Sequence, residues 1–187
     1  MREFLAIPLP EDVRHAAAAS RSVLAVSGDG WRFARDEGLH VTIRFLGEVD
    51  PTRHEELDAA WREAARGAGL PVLRLRGAAV LPALQKPRVL CVRVGDLSDD
   101  GSLGRLADRV ERAARELGFP PETRPFAAHV TLARARRGAR VVAPDVTRVG
   151  DLGSFVAERL VLYRSEPGPG GSRYIEEASY PLSAGAA

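Results

Sequence analysis

Two short stretches hold residues that can do chemistry. "HVTI" begins at residue 40 and "HVTL" at residue 129, so His40 and Thr42 recur as His129 and Thr131, with the same valine between them and a branched aliphatic residue after. The chain has four histidines and five threonines in 187 residues. Each histidine then has about a 3% chance of a threonine two places on, and two such pairs arise by chance roughly 0.4% of the time. On an extended chain alternate side chains share a face, which puts each histidine about 6.6 Å from its threonine. The same alternation sends Val41, Ile43 and Phe45 to the opposite face, against the core, and keeps Arg44 on the His40 face.

Imidazole titrates near neutral pH, so one neutral ring can take a proton while a protonated one gives a proton away. Threonine hydroxyls hold phosphate oxygens without adding a charge that would lock either ring in one state. Two such strands side by side, polar faces in one cleft, would set acid and base on opposite sides of a phosphorus, as in-line phosphoryl transfer requires. This chemistry asks for no metal and no cofactor, and neither His40 nor His129 has a cysteine or carboxylate companion at ligand spacing. His15 and His54 have no threonine partner and read as structural or surface residues. "GPGGS" at 168–172 lacks the Lys-Ser/Thr ending of a phosphate-binding loop, and Gly101 to Gly104 miss the glycine spacing of a nucleophile elbow.

The elements that must position these residues follow from local signals. "REFLAIPL" reads as an opening strand stopped by Pro8 and Pro10, and "EDVRHAAAASRSVLAV" as a helix ended by the "SGDG" turn. Asp50, Pro51, and Thr52 with Glu55 in capping-box spacing open a second helix, with Leu57, Trp61 and Ala64 on its buried stripe. "VLRLRGAAVL" and "RVLCVRV" are strand candidates that close the first half. In the second half Leu103, Leu106, Ala107, Val110, Ala114 and Leu117 keep a helical period up to Gly118. "AHVTLARAR" is the next strand, residues 136–151 are an irregular basic stretch, and "AERLVLYRSE" with "SRYIEEASYPL" form a hairpin around "PGPGG". The expected fold is α+β: one two-lobed domain spanning 1–187, its lobes similar and related by a pseudo-two-fold axis, antiparallel sheets forming a central cleft and helices outside.

Composition bounds the setting. The chain is 45% hydrophobic, enough to fill a core of its size, and its net charge is only +2, although 26 of its 27 basic residues are arginine. Cys91 is alone in an apolar run, which excludes a disulfide framework and points to a reducing compartment. "MREFLAIPLP" is neither a signal peptide nor a membrane span. A soluble, cytoplasmic protein, monomeric by default, is expected.

The paired motifs resemble those of the two-histidine phosphoesterase superfamily, specifically the RNA 2′,3′-cyclic phosphodiesterases also called 2′-5′ RNA ligases. "REFLAIPLP" is similar to that family's opening strand, "PRVLCVRV" to its mid-chain strand, and "LVLYRSEPGPGGSRYIEEASYPL" to its closing hairpin, so the resemblance covers nearly the whole chain. Ala128 stands where family members often have proline. The resemblance implies hydrolysis of a 2′,3′-cyclic phosphate at an RNA or nucleotide end to a 2′-phosphomonoester. His40 would be the proton donor and His129 the proton acceptor; the two motifs are locally alike, so only the resemblance assigns these roles. It also implies that Thr42 and Thr131 bind phosphate, and that the same site can let a 5′-hydroxyl attack the cyclic phosphate to form a 2′-5′ linkage without ATP. The family commonly has a phosphate-binding arginine where Arg134 stands. Strict alternation puts Arg134 on the face away from His129, so that role requires the strand to end or bulge near Ala133. Arg136, Arg137 and Arg140 read as a solvated loop beside the site. Two other functions fit the same cleft: a non-catalytic binder of RNA ends, and a cyclic phosphodiesterase restricted to small nucleotides.

Overall fold

A computed structural model describes residues 1–24, 30–168 and 171–184. In chain order the elements are Arg2–Pro8 (β1), Glu11–Val23 (α1), Trp31–Phe33 (β2), His40–Glu48 (β3), His54–Ala65 (α2), Arg66–Gly67 (β4) and Val72–Ala83 (β5). They continue with Lys86–Asp96 (β6), Ser102–Glu116 (α3), His129–Ala135 (β7), Asp151–Val156 (β8), Arg159–Gly168 (β9), Gly171–Pro181 (β10) and Ser183–Ala184 (β11). The expected α+β class holds. One curled antiparallel sheet runs β10-β9-β1-β3-β7-β6-β5-β8, with β2 added beside β7, and β4 pairs separately with β11. Among the described residues no helix is long and apolar enough to cross a membrane.

The lobes are not successive halves of the sequence. The closing hairpin β9–β10 returns to flank β1 and β3, while β5 and β6, read above as closing the first half, flank β7 instead. The two sets of four strands meet at Val41 and Val130, antiparallel partners at the middle of the sheet. Both valines are fully buried and lie in one apolar core with Leu57 and Trp61 of α2 and Leu106 and Val110 of α3. A valine pinned there on each strand turns its flanking histidine and threonine to the opposite, cleft-facing side.

Helix α3 forms over the expected span, and Gly118 follows it at φ +85°, a left-handed position that glycine takes without a Cβ penalty. The start of α2 differs from the capping-box expectation. Pro51–Arg53 make a 3-10 turn whose first amide is tied by the Asp50 carboxylate, which accepts from the Thr52 amide at 3.0 Å and from its hydroxyl at 2.9 Å. With its hydroxyl so engaged, Thr52 does not cap, and α2 begins at His54. Strands β2 and β8 were not foreseen: β2 is three residues long, and β8 carries Asp151 and Gly153 at the sheet edge, so neither shows strand periodicity. The "SGDG" turn begins, and the tip of "PGPGG" falls, outside the described residues.

Candidate active site

Continuing the antiparallel register one residue either side of Val41–Val130 sets His40 beside Thr131 and Thr42 beside His129. Both histidines and both threonines are half-buried, on the face away from the core. The structure therefore brings all four predicted motif residues together.

Each ring is held in the same way. His40 Nδ1 lies 2.7 Å from the Gly38 carbonyl oxygen and His129 Nδ1 lies 2.8 Å from that of Ala127. A carbonyl only accepts, so both rings carry a proton on Nδ1 and leave Nε2 for chemistry. The rings differ in their surroundings. His40 packs against Phe4 (4.8 Å between centroids), edge-on to Tyr174 (5.1 Å) and near Tyr163 (6.1 Å). Its Nε2 lies 3.0 Å from the Thr42 hydroxyl, which donates to it while the ring is neutral. Burial among these rings pushes the His40 pKa down to about 4; the Gly38 carbonyl opposes the shift, and the charges of Arg134 and His129 add to it.

The strands break alternation at matching places. On β3 Leu5 pairs with Arg44 but Ala6 pairs with Thr42, leaving Ile43 as an extra residue. On β7 Leu90 pairs with Ala133 but Cys91 pairs with Thr131, leaving Leu132 extra. Each bulge follows the motif threonine directly, so Ile43 and Arg44, like Leu132 and Ala133, are consecutive buried residues. The fifth residue after each histidine then returns to the cleft face: Phe45 in one motif, Arg134 in the other.

Two expectations for β3 are thereby corrected. Arg44 does not face the cleft. It is 8% exposed, beneath the sheet against α3, with Glu111 2.7 Å and Glu122 3.7 Å from its guanidinium, which also donates to the Phe45 carbonyl at 3.0 Å. Phe45 leaves the core; it is 54% exposed, 5.8 Å from the Phe4 ring. For Arg134 the bulge at Leu132 is the distortion its placement required, and its charge reaches His40.

Alternation did not point to the aromatic wall of Phe4, Tyr163 and Tyr174, because it joins the first strand to the closing hairpin, far apart in sequence. Gly38 admits the Tyr174 ring: a Cβ there would lie 3.0 Å from Tyr174 Cδ2. Arg93 stands across from His129 on β6, but its guanidinium lies over Gly77, where a Cβ would be 3.8 Å from Nη1. Of the other histidines, His54 bonds the buried Glu3 carboxylate at 2.9 Å and His15 is exposed on α1, both away from the cleft. The Cys91 thiol is buried, which raises its pKa to about 11 and leaves it an inert small hydrophobe.

A curled sheet bearing two histidine and threonine pairs across its seam defines a phosphoesterase-type scaffold, and comparison with known proteins agrees. The pattern of the LigT-like phosphoesterases matches residues 7–91 and 96–174; the chain belongs to that family. An RNA 2′,3′-cyclic phosphodiesterase of Aeropyrum pernix is 36% identical over 136 residues, covering 73% of this chain and 74% of its own. The crystal structure of TT0787 of Thermus thermophilus superposes with a TM-score of 0.82 at 29% identity, over 97% of this chain and 98% of that one. Escherichia coli LigT complexed with 3′-AMP superposes with a TM-score of 0.75 at 27% identity, over 97% of each.

Proposed function

We propose that this protein hydrolyses the 2′,3′-cyclic phosphate of RNA or nucleotide ends to a 2′-phosphomonoester without a metal ion, with His40 as proton donor to the departing 3′-oxygen and His129 as the base that activates water. The observation that carries this reading is the seam register, which sets two Nδ1-protonated imidazoles and two threonine hydroxyls about one point. Named relatives support the substrate: similar proteins are RNA 2′,3′-cyclic phosphodiesterases, and Escherichia coli LigT has been crystallised with 3′-AMP and with phosphate.

A donor must be protonated before it can act, whereas free His40 has a pKa of about 4. Reaching half-protonation at pH 7 requires a rise of about 3, roughly 4 kcal/mol of preference for the charged ring. One negative charge about 4 Å away at an effective dielectric of 20 contributes about 4 kcal/mol. The phosphate therefore suffices. It also accepts the Thr42 hydroxyl hydrogen, which ends the bond that favours neutral Nε2. Substrate binding and donor charging are thus one event. Thr131 and Arg134 hold the remaining phosphate oxygens. With a 5′-hydroxyl in place of water as the nucleophile, the same displacement of the 3′-oxygen gives 2′-5′ ligation without ATP.

The test is turnover of adenosine 2′,3′-cyclic phosphate and of a cyclic-ended oligonucleotide in EDTA, followed by phosphorus NMR. A 2′-phosphate product is expected, with rates down about 10²–10⁴-fold in His40→Ala and in His129→Ala. Unchanged turnover in either variant refutes the paired mechanism, and binding without turnover would mark a binder of RNA ends.

A further inference from the structure

We propose that the depression beside His40, between β2 and the β9–β10 hairpin, is a subsite for a second phosphate: the 5′-phosphate of the nucleotide whose 2′,3′-cyclic phosphate reacts. This rests on the proposed reaction only for the identity of the neighbouring group.

The depression holds about 440 Å³ of empty space open to solvent, and its walls include Arg32, Phe33, Arg134, Ser172 and Tyr174. Of the residues proposed to hold the reacting phosphate only Arg134 lines it, and none of His40, Thr42, His129 and Thr131 does, so it adjoins the reacting centre. Tyr174 is the shared wall, with one edge against His40. Arg32 of β2 and Arg134 of β7 are direct antiparallel partners, which roots the two side chains about 5 Å apart on one face. Like charges so placed oppose folding, and among the described residues neither guanidinium has a carboxylate partner. Two phosphates relieve that repulsion, the reacting one on Arg134 and the second on Arg32, since a guanidinium binds phosphate oxygens through two parallel hydrogen bonds. The Ser172 hydroxyl adds a donor, and the Tyr174 ring offers flat apolar surface for the intervening sugar. A nucleotide with its 2′,3′-phosphate at the histidines carries its next phosphate on the 5′-oxygen, one ribose away, which matches a cationic pocket one aromatic wall away.

Arg32→Gln is the informative variant, because Arg32 is exposed on the short strand β2, paired with Arg134 rather than with any of the four motif residues. Wild type and variant are assayed with adenosine 2′,3′-cyclic phosphate and with its 5′-phosphorylated form. For wild type the 5′-phosphate is expected to lower KM about tenfold. In the variant that advantage disappears, the unphosphorylated substrate keeps its kinetics, and the slope of log affinity against log salt for the phosphorylated substrate falls by about 0.7. Equal losses on both substrates would make Arg32 a ligand of the reacting phosphate and overturn the subsite, as would no loss on either. Calorimetric binding of adenosine 2′,5′-bisphosphate against adenosine 2′-monophosphate needs no turnover. If the cyclic substrates are inert, the reaction above fails, yet an Arg32-dependent preference for the bisphosphate upholds the subsite and its absence overturns it.

Discussion

Val41 and Val130 are antiparallel partners at the seam of the sheet, fully buried on one side, and this pair is what makes one site of two motifs. Its register sets each histidine beside the other motif's threonine. The approximate two-fold relation extends to the Nδ1 bonds with the carbonyl two residues upstream and to the bulge after each threonine. It ends at the fifth position, where Phe45 stands on one side and Arg134 on the other. Arg134 stands on the His40 side, lining the depression with Tyr174 and near enough for its charge to lower the His40 pKa, so a phosphate is drawn toward that end. Phe45 offers only apolar surface at the matching position of the other motif.

That asymmetry predicts unequal effects of substitution. Arg134→Ala should lower kcat/KM for a cyclic phosphate by about 10²-fold, the loss of a charge-assisted bidentate contact. Arg134→Lys should recover only part of it, because an ammonium lacks the planar fork. Phe45→Leu should change kcat/KM by less than about tenfold. Steady-state kinetics decide; equal effects at Arg134 and Phe45 would deny the division of the cleft.

His40 should titrate near 4 in the free protein and move toward neutrality when a phosphate ester binds. Nitrogen NMR of the imidazole reads this directly, with adenosine 2′-monophosphate as ligand. The pH profile of kcat/KM, which reports the free enzyme, should carry one limb near 4. In Thr42→Val the bond that favours the neutral ring is gone, so the free pKa should rise. A His40 pKa unmoved by ligand would sink the coupling of binding to donor charging.

The same depressed pKa makes stability depend on pH. Between about 4 and 6.5 the unfolded chain binds a proton at His40 that the folded chain refuses, so stability falls as pH drops through that window and is level above it. Urea midpoints at pH 7 and pH 4.5 should therefore differ more for the wild type than for His40→Gln. Saturating phosphate should narrow the difference.

Much of the site is readable from residue types, because a valine between His and Thr on both strands fixes which side faces the core. The longer strands β1, β3, β5, β6, β7, β9 and β10 and helix α3 are readable for the same reason of period, whereas β2, β4, β8 and β11 are too short or too irregular to show one. The bulges are not readable on β3, where Ile43, Arg44 and Phe45 continue a plausible alternation of apolar and charged residues. On β7 a trace exists: Leu132 and Ala133 are adjacent apolar residues ahead of Arg134, too many for one face of a regular strand. The order of strands across the sheet rests on pairings between residues far apart in sequence, such as Phe4 with Tyr163, and no local pattern encodes them. The aromatic wall around His40 is a product of those pairings, which is why its residues went unpredicted.

Arg44 supplies a final test, since alternation would make it a substrate ligand and the structure makes it a strut. Its guanidinium is enclosed between β3 and α3 with Glu111 and Glu122 as counter-charges. Removing one member of a fully enclosed ion pair costs about 3–5 kcal/mol; the partial exposure of both glutamates reduces the expectation for Arg44→Ala to roughly 2–3 kcal/mol. Arg44→Met, which keeps most of the volume, should lose less than Arg44→Ala because the stem packs on the strand. At a temperature where both variants remain folded, KM for the cyclic phosphate should stay within about twofold of wild type. A large rise in KM with unchanged urea midpoint would return Arg44 to the cleft and contradict the bulge at Ile43.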